Sequence, residues 1–402
     1  MGPLEGVRVV DLTSVLMGPY ATQLLGEYGA DVIKVEPFNG DLVRDLGPTR
    51  NPRMGAVYLN ANRGKRSIAI DLKTAAGQKV MNRLLEQADV FVTNVRPKAL
   101  ARIGLAASDL GVRFERLVVA NLVGYGQQGP YADRPAYDDL IQGGSGFSDL
   151  MAQASDGVPR YAPNALADRV VGLSALNAIL AALLARERSG SGQQVEIPMF
   201  ETMTQFVLGD HLGGHTYVPS EGPPGYARHL SPDRRPYQTS DGYLCALVYN
   251  DKQWRSFLGA IEQSDLLEQF PYLASFGSRA ENIDAVTGLL ASLFKTRSTE
   301  QWSELLESAD VPYMKMHDLD SILDDPHLAA VDFFRTVNHP SEGAIRVMRT
   351  PIRWSKTPVS EPPHAPELGE QTDQILRDSG FSDQEIASFN EADAVRSNRS
   401  DP

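Results

Sequence analysis

Short apolar runs alternate with amphipathic stretches along the first part of the chain. Runs with strand character occur at residues 7–12, 32–36, 67–70, 89–93 and 117–122. Between them, apolar side chains recur at helical spacing after Gly18-Pro19 and again at residues 74–87, and Gly29 follows the first of these stretches. Strands that alternate with helices predict an α/β fold with a parallel sheet, in which ligands bind beyond the carboxyl ends of the strands.

The pattern changes after residue 212. Clustered Gly and Pro at residues 213–236 predict a linker or mobile loop. A strand at residues 243–249 follows, and later helices include one that begins with a capping box of Ser298 and Gln301. A strand at residues 344–348 leads to a last helix with a capping box of Ser382 and Glu385, and the polar residues after 391 are expected to fray.

One carboxylate, Asp168, stands at the start of a nearly all-apolar segment that runs to residue 184. Its position predicts the N-cap of a helix, whose positive end would favour the ionised side chain. The run is interrupted by Gly172, Ser174 and Asn177 and is short for a bilayer, so it predicts a buried helix. From its position alone, Asp168 is interpreted as an ordinary helix cap, and the alternative interpretation is that its carboxylate is a nucleophile.

Composition narrows the classes of function. The chain has 402 residues, 42% hydrophobic and 22% charged, which is typical of a soluble globular protein, and its length favours two domains. A net charge of -13 argues against nucleic-acid and anionic-membrane partners. The single cysteine, Cys245, excludes an intramolecular disulfide and a multi-cysteine metal site, and no metal is expected. The N-terminus shows no signal-peptide pattern, so a cytoplasmic location is expected.

Several common motifs are missing, and two weaker features remain. The turn at residues 13–19 lacks the glycines of a dinucleotide site, and neither Ser145 nor Ser191 lies in a nucleophile elbow. The glycine loop at residues 124–129 follows a predicted strand and is either a ligand loop or a structural turn. Cations that could meet phosphates, or be scattered surface charge, are Arg63, Lys65, Arg66, Lys73, Arg96, Lys98 and Arg102.

Motifs spread over nearly the whole chain resemble those of the class III CoA-transferases (the CaiB/BaiF, formyl-CoA transferase-like family). They lie at residues 3–12, 29–36, 62–67 with 71–73, 88–94, 134–138, 190–195, 325–326 and 368–372. The resemblance implies a Rossmann-like large domain with a parallel sheet, built from residues 1–212 and 331–402. It also implies a linker or lid at residues 213–236, a smaller α+β domain at residues 237–330, and an interlocked homodimer.

The resemblance also implies roles for individual residues. Asp168 matches the family's nucleophile, with Tyr137 and Asp138 beside it. The implied reaction moves CoA from an acyl-CoA to a carboxylic acid through aspartyl anhydride and aspartyl-CoA thioester intermediates, with no cofactor beyond CoA as co-substrate. The positions that match the CoA-binding stretches are Lys73, Asn94, Val95, Arg96 and Arg102.

Departures from the family pattern bear on specificity. Leu16 stands where formyl-CoA transferase has a glutamine over the active carboxylate, so we place Leu16 on the CoA side and do not expect oxalate or formyl-CoA specificity. Arg44, Arg228, Arg234 and Arg235 either bind a second carboxylate of the substrate or are solvated surface.

Two other functions stay open at this point. One is an α-methylacyl-CoA racemase, in which a histidine would occupy the place of Tyr137, and a tyrosine is a poor base at neutral pH. The other is a non-catalytic CoA-binding relative, against which the retained Asp168 argues.

Overall fold

Twelve strands lie within residues 2–397, which the computed structural model describes. They are β1 Arg8–Leu12, β2 Asp31–Glu36, β3 Lys65–Ile70, β4 Val90–Thr93, β5 Val118–Val123, β6 Gln194–Pro198, β7 Tyr237–Gln238, β8 Tyr243–Ala246, β9 Tyr313–Lys315, β10 Phe334–His339, β11 Gly343–Met348 and β12 Val395–Arg396. The largest sheet has the order β12, β3, β2, β1, β4, β5, β6, and all its pairings are parallel except that of β12 with β3. The predicted α/β fold with a parallel sheet is therefore confirmed.

The helices of the described chain are distributed between and after these strands. They are α1 Met17–Glu27, α2 Ala56–Leu59, α3 Ala75–Glu86, α4 Pro97–Arg102, α5 Ala107–Arg113, α6 Asp138–Gly144, α7 Phe147–Gln153, α8 Leu166–Ser189, α9 Met199–His211, α10 Ala227–Leu230, α11 Asp251–Ala260, α12 Leu266–Gln269, α13 Phe276–Glu281, α14 Ile283–Phe294, α15 Thr299–Ser308, α16 Pro326–Ala330, α17 Thr372–Asp378 and α18 Asp383–Glu391. The predicted capping boxes are both present, at Ser298 for α15 and at Ser382 for α18.

The chain divides into two compact units whose limits differ from the predicted ones. The first unit comprises the residues up to Ser145, Tyr161–Gln205 and the residues from Ala329 onward, and the second comprises Gly146–Arg160 and Phe206–Leu328. The expected boundary after residue 212 instead falls inside α9. The stretch at residues 213–236, which sequence analysis set apart as a linker, belongs to the second unit and includes α10.

The core of the first unit forms on the large sheet. Its strands contribute buried residues such as Val10, Ile33 and Phe91. Apolar residues of α3 at positions 80, 81, 84 and 85 fall on one helical face and pack on this core, as do parts of α17 and α18. Burial of strands on both faces is the usual condition of a parallel sheet, and it leaves the carboxyl edge of the strands for a ligand.

Helix α8 contains the long apolar segment. It is the one described helix whose length and composition would allow it to cross a membrane. Its buried positions include Val171, Ala175, Ile179 and Ala182, which recur every three or four residues, and it packs on α1, α6 and β6. These contacts bury one face of the helix, so the prediction of a buried helix holds for that face, whereas Leu173 and Leu184 are exposed.

The second unit has its own core and a small antiparallel sheet of β7, β8 and β9. The core is rich in aromatic residues, among them Trp254, Phe257, Phe294 and Trp302. Phe294 lies 4.6 Å from the ring centre of Trp302, whose indole nitrogen donates a 2.7 Å hydrogen bond to the Phe294 carbonyl.

The expectation of a frayed end after residue 391 is wrong for residues 392–397. Val395 is buried, and β12 pairs antiparallel with Ile70 and Ala69 at the edge of the large sheet. The Thr372 hydroxyl donates a hydrogen bond of 2.9 Å to the Arg396 carbonyl. Two strand residues suffice to order this segment because they pair with an existing sheet edge. The rest of the expected frayed end, residues 398–402, lies outside the described residues.

Candidate active site

The structure places Asp168 inside a helix rather than at its cap. Helix α8 begins at Leu166, and Ala165 is the N-cap residue, with no side-chain capping bond. The prediction of Asp168 as the N-cap is therefore wrong by one turn, because Leu166 and the fully buried Ala167 already belong to the helix. Asp168 still lies in the first turn, where the helix dipole favours an anion.

The missing cap is supplied by Asp138 from α6. One oxygen of the Asp138 carboxylate, Oδ1, accepts a 2.9 Å hydrogen bond from the backbone N–H of Asp168. The N–H groups of a first helical turn have no partner within their own helix, so this bond satisfies one of them. Asp138 thereby fixes the end of α8 that carries Asp168 and brings a second carboxylate beside it.

Gln142, which sequence analysis missed, holds Asp138 in place. It is fully buried and donates a 2.5 Å hydrogen bond to the other Asp138 oxygen, Oδ2. Its amide also contacts the approach to α8, since its oxygen accepts from the Ala162 N–H at 2.8 Å and its nitrogen reaches the Asn164 carbonyl at 3.3 Å. The four-residue spacing between Asp138 and Gln142 on α6 is the signal that could have identified it.

The Asp168 carboxylate is half-buried and has an abnormal acidity. Burial raises its pKa, the charge of Asp138 raises it further, and Arg169 lowers it, with a result of about 7. Within residues 2–397, no hydrogen bond is donated to the Asp168 side chain, whereas both Asp138 oxygens accept one. Asp168 is thus the less restrained carboxylate of the pair, and burial disfavours its charged form, which suits a nucleophile.

Tyr137 lies directly before Asp138, at the N-cap position of α6. Its backbone is extended, and its side chain is 65% exposed. Its neighbour Asp138 contacts Asp168 through the backbone N–H. All three residues belong to the first unit, and a shared site that includes Tyr137 stays a prediction.

The predicted CoA-side cations Lys73, Arg96 and Arg102 are all exposed. Lys73 follows β3, whereas Arg96 and Arg102 follow β4, and these strands run parallel in one sheet. No described carboxylate forms an ion pair with any of the three, so Lys73 and Arg96 leave positive charge just after β3 and β4, and Arg102 leaves it at the end of α4. This arrangement suits the phosphates of a nucleotide.

The other predicted CoA-side residues shape the backbone at the same edge. Asn94 accepts a hydrogen bond from the Ser14 N–H at 3.0 Å and donates one to the Ser14 carbonyl at 2.7 Å. These bonds join the turn after β4 to the turn after β1. Leu16 is buried at the start of α1, and Val95, whose N–H donates to the Thr93 hydroxyl, is partly buried against the core.

Four other cations that the sequence offered for phosphate binding are engaged by carboxylates of the protein. Lys65 is buried and pairs with Asp11 at 3.0 Å. The remaining pairs are Arg63 with Glu27, Arg66 with Asp31 and Asp378, and Lys98 with Asp133. The sequence leaves both interpretations open for the seven cations, and phosphate binding stays a prediction for the three that have no ion pair among the described residues, Lys73, Arg96 and Arg102.

Arg44, predicted as a substrate-binding residue, has no access to solvent. It is fully buried and contacts both oxygens of Glu36, at 2.8 and 2.7 Å. The same guanidinium donates to the Tyr58 hydroxyl and to the Pro366 carbonyl. Its donors are used within the core of the first unit, so a substrate contact of Arg44 is ruled out in this structure.

The glycine loop at residues 124–129 is held by carboxylates. The Gly126 N–H donates to Glu201 at 2.9 Å, and the Gln127 N–H donates to Glu196 at 3.1 Å. A Cβ at Gly124 would lie 2.4 Å from the Ala136 side chain, so glycine is required there by packing. Of the two interpretations, the structural turn accounts for these contacts.

Arg228 and Arg234, the remaining predicted substrate residues, belong to the second unit. Both line a cavity of about 460 Å³ whose walls are largely apolar and aromatic. Arg235 also lines this cavity and forms a 2.9 Å ion pair with Asp233.

Comparison with known proteins identifies relatives along almost the full length of the chain. The family model described as CoA-transferase family III matches residues 4–372. A succinate–glutarate CoA-transferase of Agrobacterium fabrum is 33% identical over 93% of this chain and 95% of that protein. An (R)-2-hydroxy-4-methylpentanoate CoA-transferase of Clostridioides difficile is 28% identical over 98% of this chain and 99% of that protein.

Solved structures show the same architecture. The crystal structure of a CaiB/BaiF family protein from Brucella suis superposes with a TM-score of 0.78 at 31% sequence identity. The superposition covers 94% of this chain and 99% of that one. The similarity in sequence and that in structure thus extend over the same, nearly complete length.

Proposed function

Because the chain belongs to CoA-transferase family III and is a CoA-transferase, we propose that it transfers CoA between carboxylic acids through covalent intermediates on Asp168. The observation that supports this most directly is the half-buried Asp168 carboxylate, which receives no hydrogen bond from described residues and has a pKa of about 7. An anion with few donors around it is a stronger nucleophile than a solvated one.

The first half of the reaction loads CoA on the protein. A carboxylate oxygen of Asp168 attacks the thioester carbonyl of the acyl-CoA, the C–S bond breaks, and CoA leaves as a thiolate. The product is a mixed anhydride between Asp168 and the acyl group. The thiolate then attacks the aspartyl carbonyl, which releases the donor acid as a carboxylate and leaves an aspartyl-CoA thioester.

The second half runs in the opposite direction with the acceptor. Its carboxylate attacks the aspartyl carbonyl, the thiolate leaves again, and a second anhydride forms. Attack of the thiolate on the acceptor's carbonyl gives the new acyl-CoA and returns Asp168 as a carboxylate. Each step forms one acyl bond and breaks another, so the sequence is balanced without water or any co-reactant beyond CoA.

Asp138 and Tyr137 take supporting roles in this proposal. Asp138 fixes the first turn of α8 through the Asp168 N–H, and Gln142 fixes Asp138. The charge of Asp138 raises the pKa of Asp168, because like charges at close range disfavour ionisation of the second carboxylate. Tyr137 is exposed beside the pair, where its hydroxyl can donate to an oxygen of the acyl group.

The carboxyl edge of the large sheet is proposed to hold CoA. Lys73, Arg96 and Arg102 would meet its phosphates, while Asn94 and Val95 position the backbone after β4. Leu16 would add apolar surface beside the turn after β1. The proposal further includes the interlocked homodimer, which rests on the family resemblance, and a cytoplasmic location, which rests on the N-terminal sequence pattern.

The experiment that tests the proposal follows CoA from donor to acceptor. In separate reactions, the protein is mixed with succinyl-CoA and one acceptor: glutarate, mesaconate or 2-hydroxy-4-methylpentanoate. The acyl-CoA products are identified by mass spectrometry. We expect at least one new acyl-CoA to form in the same amount as the succinyl-CoA that is lost, without release of free CoA. With acyl-CoA alone, intact-protein mass spectrometry should show a CoA adduct. Hydrolysis to free CoA as the main reaction would contradict the proposal.

A pH profile tests the role of Asp138. The rate constant kcat/KM for the acyl-CoA should rise with pH around 7, because the Asp168 nucleophile must be ionised and its pKa is about 7. Asp138→Asn removes the neighbouring charge but keeps an oxygen for the Asp168 N–H. The rising limb should therefore move to lower pH.

The matched control for this shift is Asp139→Asn. Asp139 is exposed in the same first turn of α6, and it is absent from the causes of the Asp168 shift. Its replacement should leave the profile in place. A limb that stays at its original pH in Asp138→Asn, or moves upward, would contradict the assigned electrostatic role.

A further inference from the structure

A cavity in the second unit carries a charge pattern opposite to that of the chain. Its volume is about 460 Å³, within the range of about 300–1,000 Å³ usual for small-molecule sites. All the charged residues on its lining are arginines: Arg228, Arg234, Arg235 and Arg279. The whole chain has a net charge of -13, so a lining with cations alone is a local exception.

Two of these arginines are neutralised by carboxylates outside the lining. Arg279 forms a 2.5 Å ion pair with Asp251, and Arg235 forms one of 2.9 Å with Asp233. Arg228 and Arg234 have no ion-pair partner among the described residues. Arg228 lies over the Tyr249 ring, with 5.4 Å between the guanidinium carbon and the ring centre. Two unpaired guanidinium groups therefore face a cavity that offers them no anion.

The walls of the cavity are apolar and unusually exposed. Large apolar side chains that line it and are more than a third exposed are Tyr226, Leu247, Tyr249 and Phe276. Exposed large apolar residues grouped at one concave site mark a surface that binds a ligand. Deeper in the wall, Trp254, Val286 and Leu290 are buried and give the cavity a firm apolar floor.

A hydroxyl donor completes the polar part of the lining. Tyr237 and Arg228 both line the cavity, and burial raises the pKa of the Tyr237 hydroxyl to about 12. At neutral pH Tyr237 keeps its proton and can donate to an anion that Arg228 holds. Tyr237 itself is anchored by stacking on Phe294 at 4.6 Å.

We propose that this cavity binds an organic carboxylate with an alkyl or aryl body. The carboxylate would be held by Arg228 and Arg234, and the body would lie against the aromatic wall. One carboxylate matches two guanidinium groups in an apolar setting, whereas a nucleotide would bring several phosphate charges and require more donors. The site consists of residues of the second unit alone, so it goes beyond the chemistry at Asp168.

Isothermal titration of the full-length protein with three probes tests the site. Phenylacetate combines the charge with the apolar body, phenylacetamide keeps only the body, and acetate keeps only the charge. We expect phenylacetate to bind about tenfold more tightly than either of the others, since a charge-assisted hydrogen bond and buried apolar area each contribute that much. Equal affinity for phenylacetate and phenylacetamide, or no binding, would overturn the proposal.

Variants locate the binding. Arg228→Gln and Arg234→Gln should each weaken phenylacetate binding about fivefold or more. Arg234 is exposed and its side chain makes no hydrogen bond to a described residue, so its replacement leaves the fold intact. The matched control is Arg255→Gln, which removes an exposed arginine of α11 that does not line the cavity. Weakening by the control equal to that of the two variants would overturn the proposal.

Two further titrations are made. One asks whether the site binds the free acid or its CoA thioester, and the other asks whether binding depends on Asp168. Phenylacetyl-CoA, titrated in parallel, is expected to bind with no dependence on Arg228 and Arg234, because its carboxylate is masked as a thioester. In Asp168→Asn, phenylacetate binding should persist. Binding that persists without any CoA transfer in the wild type would refute the proposed function alone. If the wild type transferred CoA, but phenylacetate binding did not change in Arg228→Gln and Arg234→Gln, this site alone would be refuted.

Discussion

Replacement of Asp168 by asparagine is expected to reduce CoA transfer by at least about four orders of magnitude. The amide keeps the size of the protonated acid but has no carboxylate oxygen to form the anhydride. Helix α8 begins before residue 168, so its start does not depend on this side chain. The measurement combines the initial rate of acyl-CoA formation with intact-protein mass spectrometry, in which the CoA adduct should disappear.

The same variant provides its own test of folding. The pKa of Asp168 is raised from 3.8 to about 7 in the folded chain, so ionisation of this group costs stability as pH rises between these values. Asparagine removes that cost, and the variant should be at least as stable as the wild type above pH 7. A loss of activity accompanied by a lower Tm at pH 8 would point to misfolding rather than to loss of the nucleophile.

Two parallel variants complete the comparison. Asp168→Ala controls for slow hydrolysis of the new amide back to aspartate. Asp139→Asn removes an exposed carboxylate close to the site and should retain nearly full activity. If Asp168→Ala still transferred CoA at more than about one hundredth of the wild-type rate, the covalent mechanism would be refuted, because no other step in it replaces the nucleophile.

Local patterns in the sequence predicted the elements of this fold well. The alternation of apolar runs and helical spacing gave the parallel sheet, and the capping boxes at Ser298 and Ser382 marked the starts of α15 and α18. Each of these signals depends on residues within a few positions of one another. Backbone geometry and side-chain capping are decided at that range, which is why they could be predicted.

Features that depend on distant partners could not be predicted in the same way. The position of Asp168 predicts that it caps its own helix, whereas the capping carboxylate comes from Asp138, 30 positions earlier. The sequence leaves Lys65 either as a cation for phosphates or as surface charge, but the side chain is buried and pairs with Asp11, 54 positions away. The sequence gives the sign of a charged side chain but not its position in space. Only the folded chain shows which opposite charge neutralises it.

The candidate site unites both kinds of information. The apolar stripe of α8 fixes its direction by burial, and Asp138 with Gln142 fixes its first turn by hydrogen bonds. Their combined effect is that one carboxylate of the pair is restrained through both oxygens and the other through none. This difference suits the roles proposed for them, Asp138 as the positioning residue and Asp168 as the nucleophile. The difference follows from contacts that sequence spacing alone does not determine.

The second large effect is expected on stability, from a buried cluster of charges beneath the turn after β1. Lys65 donates hydrogen bonds to Asp11, to the Pro19 carbonyl and to Asn62, at 3.0, 2.9 and 2.8 Å. The other Asp11 oxygen accepts from the Thr13 N–H and hydroxyl. Burial opposes ionisation of Asp11, but Lys65 and Lys34 lower its pKa below the usual value, so Asp11 remains charged in the core.

Lys65→Met is therefore expected to destabilise the folded chain by about 3–5 kcal/mol, because it leaves the Asp11 charge buried with its nearest counter-ion removed. Urea denaturation followed by far-UV circular dichroism measures the change. The matched control is Lys79→Met, which breaks a solvent-exposed pair with Glu385 and should cost no more than about 1 kcal/mol. Adding Asp11→Asn to Lys65→Met should recover part of the loss, since the uncompensated charge is then gone as well. If Lys65→Met cost no more than Lys79→Met, the buried Lys65–Asp11 pair would not be a determinant of stability.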